Sequence, residues 1–301
     1  MGKESIMVTN ANHAIVADQS SARLLYKTGF RVRRDWTISL LLGILGFITF
    51  VPLIMLLELS FKDAQQMAQY MWTPAWPLHF RNYVVAIYAV YPYLINSAIF
   101  VVGAVTISIT FSTLTAYALA RYPFPGREFF YIAVLALLMI PGVLTLITSF
   151  VVTVSLKLNN SFLGIWLPMA AGAQAFQIIV LRTYFASLPP ELFEAGSIDG
   201  ASETTMLAKI ALPLSKPILS TLVILQIMGV WNEYIWPLMI FSKPERYPAV
   251  LTVMRMGQLI TNRDPGAMWA GYVIVGLPIL ILFAFTSRTF IRGLTSGAIK
   301  F

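Results

Sequence analysis

The sequence predicts an all-α integral membrane protein, with six transmembrane helices and a charged helical loop between the fourth and fifth. Three observations carry this. The 301 residues are 58% hydrophobic and only 11% charged, against about 25% charged in soluble domains. Mean hydropathy is +0.75. The apolar residues fall in long blocks, and one short run between two blocks holds four carboxylates, Glu191, Glu194, Asp199 and Glu203.

The residues before the first block are polar and end in Arg31, Arg33 and Arg34. They read as an arm, 1–35, and not as a signal peptide, because the block after them is too long for an h-region. Met1-Gly2 begins like a myristoylation signal, but position six is Ile6 where Ser or Thr is required. A helix rises about 1.5 Å per residue, so about twenty apolar residues cross a ~30 Å hydrocarbon core. Six blocks qualify: 36–59, 94–119, 129–154, 162–181, 217–241 and 269–290. A bilayer cannot satisfy loose backbone groups, so each is a helix. Pro52, Pro141, Pro168, Pro237 and Pro278 are expected to kink these helices or to sit near their ends. The transmembrane domain is 36–290, with the charged loop at 188–216 and a tail at 291–301.

Six spans put both ends on one side. Seven of the 21 Lys and Arg residues fall on the other side: Lys62, Arg81, Lys157, Lys243, Arg246, Arg255 and Arg263. The remaining majority places both termini and the charged loop in the cytoplasm by the positive-inside rule. The stretch after the fifth span, with four of those seven, is the main dissent. This asymmetry also accounts for the net charge of +8, so no nucleic-acid partner is expected. The loop at 60–93 is rich in aromatic residues, among them Tyr70, Trp72, Trp76 and Tyr88. It reads as an interfacial aromatic belt or as an outer surface that receives a partner protein.

Several chemistries have no residues to carry them. There is no cysteine, and the two histidines, His13 and His79, are too few for a clustered site. No G-x-x-x-x-G-K-[ST] run and no H-E-x-x-H occurs, and no convincing nucleophile elbow is seen. The expectation is a non-catalytic subunit with no metal and no cofactor of its own.

The charged loop has local signals for two short helices. Leu188-Pro189-Pro190-Glu191 starts the first, since Pro suits the first helical turn and an early Glu complements its positive end. Leu192, Phe193 and Ile198 give it an apolar side. Gly200 can take the positive φ that ends a helix. Ser202 can cap a second helix, in which Met206, Leu207 and Ile210 recur at helical spacing. Pro213 and Pro217 bracket the start of the fifth span. A partnerless amphipathic pair on the membrane, a plain connector, and a Gly196-x-x-x-Gly200 packing motif are the competing readings.

The run Glu194-Ala195-Gly196-Ser197-Ile198-Asp199-Gly200-Ala201, followed by Ile210-Ala211-Leu212-Pro213, resembles the EAA loop of ABC importer permeases. Gly196 stands where that family usually has Ala. Further matches follow: Asn96-Ser97, Ala116-Tyr117-Ala118-Leu119-Ala120-Arg121 and Phe124-Pro125-Gly126 look like the second span and next loop of sugar-type permeases. Trp231-Asn232-Glu233-Tyr234 and Trp236-Pro237 look like their fifth span. The end, Arg292 to Gly297-Ala298-Ile299-Lys300, is similar to the tail of the shorter maltose-type permease subunit, closing here on Phe301 instead of Gly.

The resemblance implies a type I ABC importer permease, a multi-pass protein of a bacterial or archaeal plasma membrane. It implies a second permease subunit, two ATPase subunits that bind ATP and Mg, an extracytoplasmic solute-binding protein, and a carbohydrate cargo. The EAA loop would dock on an ATPase, with Glu194, Ala195, Gly196, Ile198, Asp199, Gly200, Ala201, Ile210, Leu212 and Pro213 as its coupling residues. The tail residues Gly297, Ala298, Ile299 and Lys300 would reach between the ATPase subunits. Polar residues inside spans are the candidates for a substrate path. They are Gln174 and Gln177, three apart and so on one helix face, with Trp231, Asn232 and Glu233. Glu233 lies on the order of 24 Å into its span at helical rise. Each has a plain alternative as a contact between helices. An ABC permease for a non-sugar solute, or a secondary transporter, are the other functions considered.

Overall fold

The computed structural model describes the backbone of residues 36–260 and 264–298, and the side chains of 36–257 and 264–287. The arm 1–35 and the tail residues Ile299, Lys300 and Phe301 lie outside the described residues. Regular structure among the described residues is helical throughout. In chain order the helices are α1 (Trp36–Leu59), α2 (Ala64–Gln69), α3 (Arg81–Arg121), α4 (Arg127–Leu137), α5 (Gly142–Ser155) and α6 (Leu163–Ala186). They continue as α7 (Pro190–Ile198), α8 (Glu203–Leu214), α9 (Lys216–Asn232), α10 (Ile235–Ile240), α11 (Ala249–Ile260) and α12 (Pro265–Ala298). Four of them, α1, α3, α6 and α12, are long and apolar enough to cross a membrane. The number rises to six if each of two bent pairs, α4 with α5 and α8 with α9, is one crossing. Two compact units divide at Ile54. The first is described through the greater part of α1; the second, from Met55 onward, contains every other helix.

α3 organises the second unit and packs on α6, α9, α11 and α12. Ala104, Ser108, Ser112 and Ala116 are all buried and four residues apart, so they form one stripe. Small residues at this spacing let two helix backbones approach within a membrane. The partner is α6, whose Gln177 amide oxygen accepts the Ser108 hydroxyl at 2.7 Å and the Ser112 hydroxyl at 2.9 Å.

α3 has 41 residues, about 60 Å at helical rise and twice the hydrocarbon thickness. It starts at Arg81, inside the 60–93 segment that the sequence presents as a loop. The extra turns are not an apolar run, because they carry Arg81, Tyr88, Tyr91 and Pro92. Their inward residues, Ala86 and Val90, are fully buried against apolar groups of α11 and α12. Amphipathic burial extends this helix, where hydropathy alone would end it.

The third and fifth apolar blocks are broken. α4 and α5 meet at 103°. Pro141 is the cause: it sits extended just before α5, and proline disfavours helical backbone at the residue before it. α8 and α9 meet at 79° around Ser215, between Pro213 and Pro217. The fifth block does not reach 241 as one helix. α9 ends at Asn232, Glu233 is extended, and α10 restarts at Ile235.

The segment between α1 and α3 is closed by a buried lysine. The Lys62 side chain is 1% exposed. Its Nζ donates to Glu58 Oε1 at 2.6 Å and to the carbonyls of Tyr70 and Thr73 at 2.6 and 2.8 Å. Three acceptors satisfy all three ammonium donors, which is the condition for burying such a group. Asp63 and Gln66 form a reciprocal capping box on α2, and Asn82 Nδ2 donates to the carbonyls of Ser60 and Lys62.

Candidate functional site

The charged loop folds as a helical hairpin. α7 begins at Pro190, with Glu191 in its first turn, where a carboxylate favours the helix macrodipole. Gly200 stands at φ 72°. Around it Ala201 N–H reaches the Gly196 carbonyl and Gly200 N–H reaches Ser197, the paired bonds of a Schellman stop. Ser202 then caps α8 by accepting from the Thr205 N–H at 3.3 Å. Gly200 therefore lies past the helix end, so Gly196 and Gly200 are not a helix-packing pair.

One side of the hairpin is built into the bundle. Phe193, Gly196, Met206 and Leu207 are buried. A Cβ at Gly196 would stand 3.3 Å from Ile210 Cδ1 and 3.5 Å from Met206, so α7 and α8 touch there nearly backbone to side chain. Phe193, Met206, Leu207 and Ala211 share a core with Tyr117 of α3, Phe185 of α6 and Leu222 of α9. The Arg121 guanidinium lies 3.5 Å over the Phe193 ring, a cation–π contact at the end of α3. Tyr117 donates to Glu203 Oε2 at 3.2 Å, and Tyr184 donates to the Leu214 carbonyl at 2.8 Å. Desolvation and then the Glu203 carboxylate push the Tyr122 phenol above its ordinary value. Within α8, residues 207–211 form a π turn, with Leu212 N–H bonded to the Leu207 carbonyl. Pro213 has no N–H to offer the next carbonyl, which explains a wider turn just before it.

The other side is open. Glu194, Ala195, Ile198 and Asp199 are exposed, as is Pro213, while Ala201, Ile210 and Leu212 are half-buried. Ile198 is 86% exposed and Leu192 42%, so the apolar side expected of Leu192, Phe193 and Ile198 is split: Phe193 turns into the core, and Ile198 stands out beside two carboxylates. The tail residues Gly297 and Ala298 fall in the last turn of α12.

The five candidates for a substrate path separate into two groups. Gln177 is enclosed between α3 and α6 by its two serine partners, and Gln174 donates to the Ser108 carbonyl at 3.1 Å. Trp231 is buried and donates to the Val275 carbonyl at 3.3 Å. These three join helices. Asn232 is exposed and bonds back to Met228. Glu233 fills the gap in the fifth block: its Oε1 accepts the N–H groups of Ile235 and Trp236 at 2.8 and 3.0 Å. It also lines two adjoining clefts of about 330 and 170 Å³. Sequence reasoning missed Gln226, Thr145 and Ser149, which share these clefts. Their signal was weak, since single hydroxyl and amide groups are common in apolar helices.

The described residues thus form a bundle of apolar helices with two broken blocks and a capped hairpin that is buried on one side. The family described as binding-protein-dependent transport system inner membrane component matches over residues 108–295, and the chain belongs to it: it is an ABC importer permease and a multi-pass membrane protein. Among its relatives, the arabinooligosaccharides transport system permease protein AraQ of Halalkalibacterium halodurans is 31% identical over 277 residues, 88% of this chain and 96% of that one. The osmoprotective compounds uptake permease protein GgtD of Synechocystis is 34% identical, covering 68% of this chain and 69% of its own. The crystal structure of a bacterial ABC transporter involved in the import of the acidic polysaccharide alginate superposes with a TM-score of 0.76 at 25% identity. It covers 87% of this chain and 100% of its own.

Proposed function

We propose that this chain is one of two permease subunits of an ATP-driven, binding-protein-dependent carbohydrate importer, and that the α7–α8 hairpin is its coupling element. The hairpin's two-sided construction carries the reading. Its inner side is locked to α3, α6 and α9 through Phe193, Met206 and the Tyr117–Glu203 bond, so displacement of the hairpin is transmitted to those helices. Its outer side presents Glu194, Ile198 and Asp199 to a partner. An ATPase subunit that binds ATP and Mg fits that partner, with the hairpin and both termini in the cytoplasm. Closure of the ATPase pair would then tilt the hairpin and switch the bundle between inward- and outward-facing forms. The tail at 297–300 is assigned a second contact with the ATPases, and this chain performs no hydrolysis itself.

The carbohydrate cargo is supported by the relatives named for arabinooligosaccharides and alginate, and by the hydroxyl, amide and carboxylate groups along the clefts at Glu233. The proposal is tested by Glu194→Lys. Co-purification of the ATPase with the permease pair should fall, or ATP hydrolysis should uncouple from uptake. Wild-type assembly together with wild-type coupled uptake in this variant would remove the docking role.

A further inference from the structure

We infer that the clefts at the break in the fifth block form a charge filter, admitting neutral or cationic sugars and disfavouring those that carry uronate or phosphate. This rests on the reading of that face as the translocation path.

The two clefts share Met169 and Glu233, so Glu233 stands where they adjoin. Its carboxylate is held in place, because Oε1 takes both backbone N–H bonds from the start of α10. Both bonds fall on the same oxygen, which leaves Oε2 able to accept from a ligand. The other polar lining is neutral. Ser149 of α5 brings a hydroxyl, and Thr145 of α5 donates its own to the Gly142 carbonyl at 2.8 Å, which leaves its oxygen as an acceptor. Gln226 of α9 commits its Nε2 to the Met169 carbonyl at 3.3 Å, which leaves its amide oxygen to accept. No lysine, arginine or histidine is among the described residues that line either cleft. Groups of this kind suit sugar hydroxyls. A carboxylate held at the junction of two clefts raises the local concentration of cations and lowers that of anions.

The chain has no cysteine, so one introduced thiol reports on the cleft alone. Gly229 lines the larger cleft, and a Cβ there meets nothing within 4 Å. Gly229→Cys is made in the assembled importer in membrane vesicles. Its labelling rate is measured with cationic trimethylammonioethyl, neutral hydroxyethyl and anionic sulfonatoethyl methanethiosulfonates, each normalised to its rate with a free small thiol. Labelling is read on this subunit after separation from its partners. The expected result is a cationic rate at least tenfold above the anionic one, falling toward equality when Glu233→Gln is added. Glutamine keeps an oxygen for the Ile235 and Trp236 N–H groups, so the second change removes charge and spares the cap. Gly172→Cys, also open to a Cβ and lining the same cleft, serves as a second reporter.

If all three reagents label equally with Glu233 present, the filter is refuted and the path reading stands. If the charge preference survives Glu233→Gln, the field has another source and the assignment to Glu233 is wrong. If no reagent labels either cysteine, the clefts do not meet water, and the path reading itself fails.

Discussion

The exposed isoleucine at the tip of α7 is the sharpest test of the coupling assignment. Ile198 is 86% exposed, and the stop that follows it is made by backbone bonds around Gly200. Replacing it therefore removes almost no packing within this chain. If an ATPase covers it, burial contributes roughly 1.5–3 kcal/mol, the range for a fully buried aliphatic side chain. At 1.4 kcal/mol per tenfold, its loss weakens docking by about 10- to 150-fold. Ile198→Ala should sit near the low end, since a methyl remains. Ile198→Asp should exceed it, because a carboxylate must also be desolvated. The assay is the affinity of the ATPase subunit for the detergent-solubilised permease pair, with the Tm of the permease as control. Affinity should fall at least tenfold while stability stays within about 0.5 kcal/mol, the usual range for surface substitutions. Wild-type affinity in Ile198→Asp would refute the assignment. A clear fall in Tm would mean that Ile198 supports the permease fold.

Two further predictions concern the elements that shape the two faces. Gly200→Ala should cost about 1–2 kcal/mol, because a Cβ is strained at positive φ, whereas Gly196→Ala should cost less, since its new methyl meets side-chain atoms and no backbone, Ile210 Cδ1 at 3.3 Å and Met206 Cγ and Sδ at 3.5 Å; thermal unfolding of the two variants compares them, and equal losses would contradict the observed turn. Lys62→Met should destabilise by about 1–3 kcal/mol, the cost of leaving buried acceptors unsatisfied, because the Tyr70 and Thr73 carbonyls lose their donor while the partly exposed Glu58 can turn to water; hydrogen exchange should rise across residues 60–80, and unchanged protection there would show that the lysine does not hold the segment.

The hairpin was the most legible part of this protein. Pro190, Gly200 and Ser202 each act locally: a ring fixes φ, a missing side chain permits positive φ, and a hydroxyl accepts a nearby N–H. Such signals do not depend on distant neighbours, so they can be read in order along the chain. The helix beginning at Arg81 was not legible, because what holds it is burial of Ala86 and Val90 by residues more than 150 positions later. Glu233 was legible as costly inside a span. That it caps a restarted helix was not, because nothing in Trp231-Asn232-Glu233-Tyr234 announces a break.

By itself, then, the amino-acid order determined the membrane class, the location of the apolar blocks, and the start, stop and cap of a two-helix loop. Bilayer thickness and backbone hydrogen bonding enforce the spans, and local turn and cap chemistry enforces the loop, whatever the partners. Tertiary structure decided which half of each motif is used internally. It turned Phe193 and Gly196 inward and left Ile198 and Glu194 free. It used Gln177 to join α3 to α6, and it set Glu233 at the edge of a cleft. Each of those outcomes depends on which helices lie side by side, a matter of packing between segments far apart in the chain.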